Sequence, residues 1–377
     1  MYYYANDIIE EMKNSRQLVV FGAGDIAYLV INCLQKEYYQ LPVEYCMVSD
    51  KKGNPARVNG VPVIDCTEAE RLVSKDAMIL VAVIEKYLDS IMKELPRHGY
   101  CNIIPLTFEN DLWSLLRGNY YRSYRRSRNR PYLTLEEELK DKKPFGQAYN
   151  VSIYTARCHA DRELKEDTER FSWEIPIQAG AALTSRRICG ICDNAGGDHI
   201  SDKNHQYCEL TALYWIWKND RSDYVGLGHY RRHFELDEEQ LNQLACSDID
   251  VVLTIPIMDI PSVEAVYRRD HVGTDWDVML EAVRKLSPDY MDAVREMQSG
   301  KFYYAYNMFI MRREILESYC SWLFPILYYC ERHCEEKKDH YQNRYIGFLA
   351  EHLMSAYFLH HEKDYKIVHA RKHFIIW

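Results

Sequence analysis

The chain has 377 residues, 47% of them hydrophobic and 27% charged, which exceeds one ordinary domain and lies far from disordered or fibrous compositions. Two globular domains, each with its own core, are therefore expected. A net charge of −9 excludes a generally basic nucleic-acid binder, and no apolar run reaches the roughly 18 to 20 residues needed to cross a bilayer.

Twelve cysteines without a signal peptide or a regular framework read as reduced thiols, which points to the cytoplasm. The 31 tyrosines suit surfaces that stack on sugars or pack at interfaces.

From the amino end, Gln17–Phe21 is a short β-rich run that enters Gly22-Ala-Gly24 and then an apolar helical stretch through Lys36. A second strand, Val43–Val48, ends at Ser49-Asp50, and a third, Ala77–Val83, is continuously apolar as a buried parallel strand should be. Residues 1–108 are thus expected to form a Rossmann-like parallel-sheet domain. Gly22 and Gly24 would let a phosphate approach the helix N-terminus, and Asp50 would face a ribose. The ligand would be a nucleotide, a nucleotide sugar or a dinucleotide; the bland alternative is a tight turn that binds nothing.

Residues 109–148 carry the basic, tyrosine-rich run Arg117–Arg130 and read as a linker with helical parts. The run is either a solvated connector or a tether to an anionic membrane surface.

The second domain, 149–377, is expected to be α/β. Strands are predicted at Val151–Thr155, Tyr224–Gly228, Ile249–Ile255, Phe302–Met311 and Tyr365–Ile376, and helices at His205–Lys218, Glu314–Tyr329 and Arg344–Leu359. The strand Tyr224–Gly228 runs into His229, Arg231, Arg232 and His233. Ligands of open α/β sheets collect beyond the carboxyl ends of strands, so this cationic cluster stands where a diphosphate would be held. An ion-paired loop is the competing explanation.

Asp198, Ser201 and Asn204 precede the His205 helix as caps or as a binding loop. Asn307 lies inside a predicted strand, where an amide must find partners and would serve either a neighbouring loop or a sugar hydroxyl. On the last helix, Gly347 implies close approach by another group. Glu351, one turn on, would be a general base or a solvated surface carboxylate.

Cys189-Gly-Ile-Cys192 has metal or redox spacing but no second pair to complete a site. Asp248-Ile-Asp250 and Asp275-Trp-Asp277 match the short acidic pattern that holds a divalent metal in many sugar transferases. The first precedes its strand and the second opens a helix, so a manganese or magnesium ion stays undecided.

Five segments of this second domain carry a resemblance. They are Gly197-Asp-His-Ile-Ser-Asp-Lys-Asn204, Tyr207–Asn219, Tyr224-Val-Gly-Leu-Gly-His-Tyr-Arg-Arg-His-Phe234, Asn307-Met-Phe-Ile-Met311 with Tyr319–Phe324, and Arg344-Tyr-Ile-Gly-Phe-Leu-Ala-Glu351. In this order they resemble the capsular and exopolysaccharide biosynthesis family catalogued as domain of unknown function 4422, whose members look like GT-A glycosyltransferases. His199 stands where that family usually has asparagine, and Gly228 where it often has cysteine.

The resemblance implies a C-terminal GT-A-like domain that moves a sugar from a nucleoside-diphosphate sugar to a glycan or lipid-linked acceptor. The enzyme would be cytoplasmic, with peripheral contact at the inner membrane face. It further implies that Arg231 and Arg232 neutralise phosphate charge, replacing or assisting a metal. His159 with Asp198 or Asn204 would meet the nucleotide, Asn307 a sugar, and Glu351 with His229 would form the catalytic group. The first domain is similar, through Gly22, Gly24, Asp50 and Gly60-Val-Pro62, to nucleotide-sugar-binding modules. A nucleotide-sugar oxidoreductase or epimerase working through Gly22–Ala27, or a non-catalytic assembly module, are the competing functions.

Overall fold

The computed structural model describes residues 2–36, 38–140, 149–165 and 169–375. The end of the expected linker, 141–148, and Ile376 of the expected closing strand lie outside the described residues. The chain divides into two compact units, Met1–Pro131 and Tyr132–Trp377.

In the first unit, parallel strands stand in the order Val61–Asp65, Tyr45–Val48, Leu18–Phe21, Met78–Val81, Ile103–Pro105, with Arg57–Val58 antiparallel at the edge. By succession the parallel strands run 3-2-1-4-5, the order of a doubly wound sheet, so winding reverses beside Leu18–Phe21. The central strands are apolar throughout because helices cover both faces; Val19, Val20, Ile79 and Leu80 are fully buried.

Gly22 has φ of 128°, and a Cβ there would lie 2.5 Å from the Ala82 carbonyl oxygen. The neighbouring strand end therefore requires this glycine, with or without a phosphate. Gly24 caps the helix Asp25–Gln35 and faces open space. Asp50 is exposed and closes a local turn by accepting the Lys52 amide at 2.8 Å.

The boundary between the units falls within the expected linker, whose described part holds the helices Asp111–Arg126 and Leu135–Leu139. Asn110 caps the helix Asp111–Arg126 through the Leu112 and Trp113 amides, and Trp113 and Leu116 are fully buried. Arg117 is 1% exposed with its guanidinium over the Trp113 ring, and Arg125, also buried, donates to the Pro131 carbonyl at 3.2 Å. Five residues of the basic run, Arg117, Gly118, Tyr120, Tyr121 and Arg125, are thus buried, which rules it out as one continuous solvated or membrane-facing stretch. Farther on, Leu133–Thr134 pairs with Ile367–Ala370 in the sheet of the second unit.

That sheet has ten strands. Counted from Val151, its main strands lie in the order 3-2-1-4-6-5-7, with Phe309–Arg312 the antiparallel sixth between Tyr224–His229 and Val251–Thr254. One face packs on helices that include Leu210–Asn219, Gly273–Leu286, Arg313–His333 and Tyr345–His360. The other buries Ile153, Tyr224, Phe234, Val252 and Ile310.

Two predicted elements are broken. The helix from His205 divides into Asn204–Tyr207 and Leu210–Asn219 because Cys208 has φ of 51°. The strand Phe302–Met311 divides into Phe302–Tyr303 and Phe309–Arg312, with Tyr306 and Asn307 left-handed at φ 71° and 50°. Non-glycine residues enter that region at a cost, so both breaks mark places where the surroundings impose the backbone. The closing strand is likewise two, Ile367–Ala370 and Lys372–Phe374.

Gly22→Ala should lose at least about 2 kcal/mol of unfolding free energy in urea, because strain and the Ala82 contact add. Gly24→Ala should lose about 1 kcal/mol or less. Equal losses would show that the Ala82 approach is not what demands glycine.

Candidate functional site

The strand Tyr224–His229 is parallel to Val151–Arg157 on one side and antiparallel to Phe309–Arg312 on the other. Its carboxyl end turns tightly, pairing His229 with Arg232. Arg231 lies in the turn and Arg232 opens the strand Arg232–Phe234; both guanidinium groups stand over the Phe374 ring, at 5.3 and 5.2 Å from its centroid, yet they act on different acids. The charge of Arg232 acts on Glu351 and His229, whereas that of Arg231 acts on Asp161.

Around Arg232 the two backbone breaks converge. Glu209 follows the left-handed Cys208, and its carboxylate accepts from Asn307 Nδ2 at 2.6 Å. Asn307 is 1% exposed and also reaches the Gly347 carbonyl at 3.4 Å. It is held in a left-handed turn instead of the predicted strand, so its amide is a positioning group for Glu209. Its Oδ1 is buried and has no hydrogen-bond partner among the described residues.

His229 Nε2 donates to the Tyr306 carbonyl and stands 4.0 Å from Glu209. Burial pulls its pKa down, with Arg232 and Arg344 adding to the fall against the opposing Glu209 charge. His229 is therefore a neutral ring pinning the Tyr306-Asn307 turn, not a member of a cationic cluster, and its bonded nitrogen is unavailable for proton transfer.

Glu351 belongs to the same cluster as Glu209 and Arg232. Its helix, Tyr345–His360, is buried almost all round. The side that carries Gly347 and Glu351 also faces protein: a Cβ on Gly347 would lie 3.3 Å from Cys208 Sγ, and Ser355 Oγ, one turn beyond Glu351, accepts from the Tyr304 amide at 2.7 Å. Burial pushes the Glu351 carboxyl up to about 8, and the Glu209 charge adds to the rise. The Tyr306 amide, Arg232 and Arg344 oppose it. Arg344 donates from Nε to Cys208 Sγ at 3.1 Å. The Cys208 thiol, pushed up to about 12 by burial, stays neutral.

A second group gathers at the end of Val151–Arg157. Asp161 accepts the Cys158 amide at 2.7 Å; burial lifts its carboxyl to about 6, against that bond and the charges of Arg157, Arg231 and His159. Here His159 and Arg231 do come together, as a polar recess beyond the first strand.

The other expected donor contacts are elsewhere or otherwise engaged. Asp198 is exposed and accepts from Tyr214 at 2.8 Å, and Asn204 Nδ2 donates to the Cys208 carbonyl at 2.7 Å and to Thr211 at 3.1 Å. Both tie the loop to the helix Leu210–Asn219. His233 is 3% exposed, bonded to Glu174 at 2.7 Å and stacked on Phe171. It supports the hairpin from beneath.

Neither acidic pair fits a metal-held diphosphate. Asp248 and Asp250 lie at the amino end of Val251–Thr254, away from the carboxyl ends where ligands gather, and bind Lys366 and Arg312. Asp275 is buried against Lys337, and Asp277 pairs with Arg268.

Sequence reasoning passed over Glu209, Arg344, Arg157 and Asp161. Glu209 looked like the interior of one helix; the signal was the polar Cys208-Glu209 step inside an apolar-periodic segment. Asp161 and Arg157 flank His159, but their closeness to Arg231 depends on pairing strands about 70 residues apart in sequence.

Among known proteins, the family described as "Domain of unknown function (DUF4422)" matches residues 153–363. A solved structure titled "WbbM bifunctional glycosyltransferase apo structure" matches at 29% identity and a TM-score of 0.54, over 60% of this chain and 45% of that one. This chain therefore spans less than half of that relative's length. No curated protein matches.

Glu209→Gln removes a negative neighbour, so the Glu351 midpoint should fall below 8 toward the ordinary carboxylate range. Carboxyl carbon NMR against pH would read the change. An unmoved midpoint would show that the two carboxylates do not interact.

Proposed function

The chain belongs to the DUF4422 family, and on that footing we propose that it is a glycosyltransferase, its second unit moving a sugar from a nucleoside-diphosphate sugar to a hydroxyl of a glycan or lipid-linked acceptor in surface-polysaccharide synthesis. The observation that carries the proposal is the cluster in which Glu209 and Glu351 interact with Arg232 and Arg344, at the carboxyl end of a central strand. The likeness to WbbM supports the reaction class. The strand order with one reversed strand suits a GT-A-type sheet.

In this proposal the diphosphate lies toward Arg231, with His159 and Arg157 beside it. Negative charge develops on that leaving group as the sugar departs, and fixed guanidinium groups stabilise it without reorganising. Glu351 takes the proton from the acceptor hydroxyl as that oxygen attacks the sugar carbon. A pKa near 8 makes it a stronger base than an ordinary glutamate but leaves it mostly protonated at neutral pH. Burial and Glu209 raise this pKa, Asn307 holds Glu209 in place, and Asn307 Oδ1 would accept from a sugar hydroxyl. No step is assigned to a divalent metal, since the acidic pairs do not fit one. For the first unit, the doubly wound order and the open face at Gly24 support a nucleotide, nucleotide-sugar or dinucleotide ligand that reaches toward Asp50.

Thermal stabilisation by a panel of nucleotide sugars, with and without Mn²⁺, followed by transfer assays on the hit, tests this reading. Tight NAD(P) binding without any nucleotide-sugar response would favour an oxidoreductase instead. Arg231→Ala should weaken donor binding at least about tenfold. Glu351→Gln should lower kcat by about 10²–10⁴ with donor affinity retained. Since the base acts as the carboxylate, kcat/KM should rise about tenfold per pH unit up to about 8 and then level. A flat profile from pH 6 to 9 would remove Glu351 as the base.

A further inference from the structure

We propose that the first unit binds a zinc-class divalent ion through Cys66, Glu94 and His98. A ligand atom from each of these side chains lies within 4.8 Å of the other two, and the three form the one such group among the described residues. The set mixes sulfur, oxygen and imidazole nitrogen, the donors that suit borderline-soft Zn²⁺ more than hard Mg²⁺ or Ca²⁺.

The backbone presents these groups rigidly. Cys66 is the first residue of the helix Cys66–Leu72, which Asp65 closes with a reciprocal capping box to Glu68, and it is 8% exposed. Glu94 lies on the helix Glu85–Arg97 and His98 is its C-cap, so the two stand four residues apart on one face, a spacing that chelates a single ion. Cys66 Sγ is 4.0 Å from Glu94 Oε1. Around tetrahedral zinc, with bonds of about 2.0–2.3 Å, neighbouring ligand atoms stand roughly 3.5 Å apart, so small side-chain rotations close the set.

Outer contacts orient the ligands as a metal site requires. Ser49 donates to Glu94 Oε2 at 3.1 Å, leaving Oε1 turned to the sulfur, and Glu70 lies 3.6 Å from His98 Nδ1. The neighbourhood is negative: burial pushes the Cys66 thiol up to about 11, and Glu94, Asp65 and Glu70 all push the same way. A dication reverses this, expelling the thiol proton to solvent and forming the metal–sulfur bond. The partly exposed His98 edge leaves room for water as a fourth ligand. The ion would fasten the helix that follows Val61–Asp65 to the end of the next helix, beside the Val48–Ser49 strand end.

Tag-free, chelator-stripped full-length protein should bind one Zn²⁺ that is lost in Cys66→Ser and weakened at least about tenfold in His98→Ala. Co²⁺ should give a thiolate charge-transfer band that disappears in Cys66→Ser and persists in the Cys189→Ser/Cys192→Ser double variant. Because one proton is released, affinity should rise about tenfold per pH unit between pH 6.5 and 8. If Cys66→Ser fails to fold, His98→Ala and Glu94→Gln carry the same comparison. A missing band, a band that survives Cys66→Ser, or one lost with Cys189 and Cys192 overturns the assignment.

Discussion

The second unit is organised around two carboxylates that share one recess. Glu209 and Glu351 would repel each other if both were fully charged and dry, and much of the surrounding structure relieves that conflict. Asn307 donates to Glu209, Arg232 and Arg344 supply positive charge, and the Tyr306 amide serves Glu351. Burial first, and the Glu209 charge second, outweigh this relief and push the Glu351 carboxyl up to about 8. In the proposed reaction, Glu351 is thus a base whose own protonation the fold has shifted toward the working range.

The same constraint accounts for the irregular backbone. Cys208 at φ 51°, and Tyr306 and Asn307 at 71° and 50°, interrupt a helix and a strand where uninterrupted elements would carry Glu209 and Asn307 elsewhere. Contacts overdetermine these conformations: Asn204 holds the Cys208 carbonyl, His229 holds the Tyr306 carbonyl, and Gly347 lets one helix approach the Cys208 side chain. His229 belongs to this framework. Positive charge is also divided: Arg232, at the start of its strand, acts on Glu351, and Arg231, in the turn before it, acts on Asp161.

In the first unit, packing explains features that first read as ligand chemistry. Gly22 answers to the Ala82 carbonyl, and Arg117 and Arg125 are core members whose stems and planar heads fill space beside Trp113 and the Pro131 carbonyl. Mixed donors from separate elements, as at Cys66, Glu94 and His98, are harder to account for by packing alone. A buried thiol among carboxylates contributes no favourable charge interaction until a cation arrives.

By itself the sequence determined what depends on local pattern. Continuous apolar runs such as Leu18–Phe21 and Met78–Val81 identify strands covered on both faces, and periodic stripes identify the long helices. The uncharged Tyr224–Gly228, followed at once by His229 and two arginines, marks the carboxyl end of a central strand. Tertiary structure decided which polar groups meet. Glu209, Asn307 and Glu351 are separated by about 100 and 44 residues, and strand pairing with two left-handed turns brings them into one pocket. Local pattern cannot foresee this, because charge, burial and protonation depend on neighbours that only the folded chain supplies.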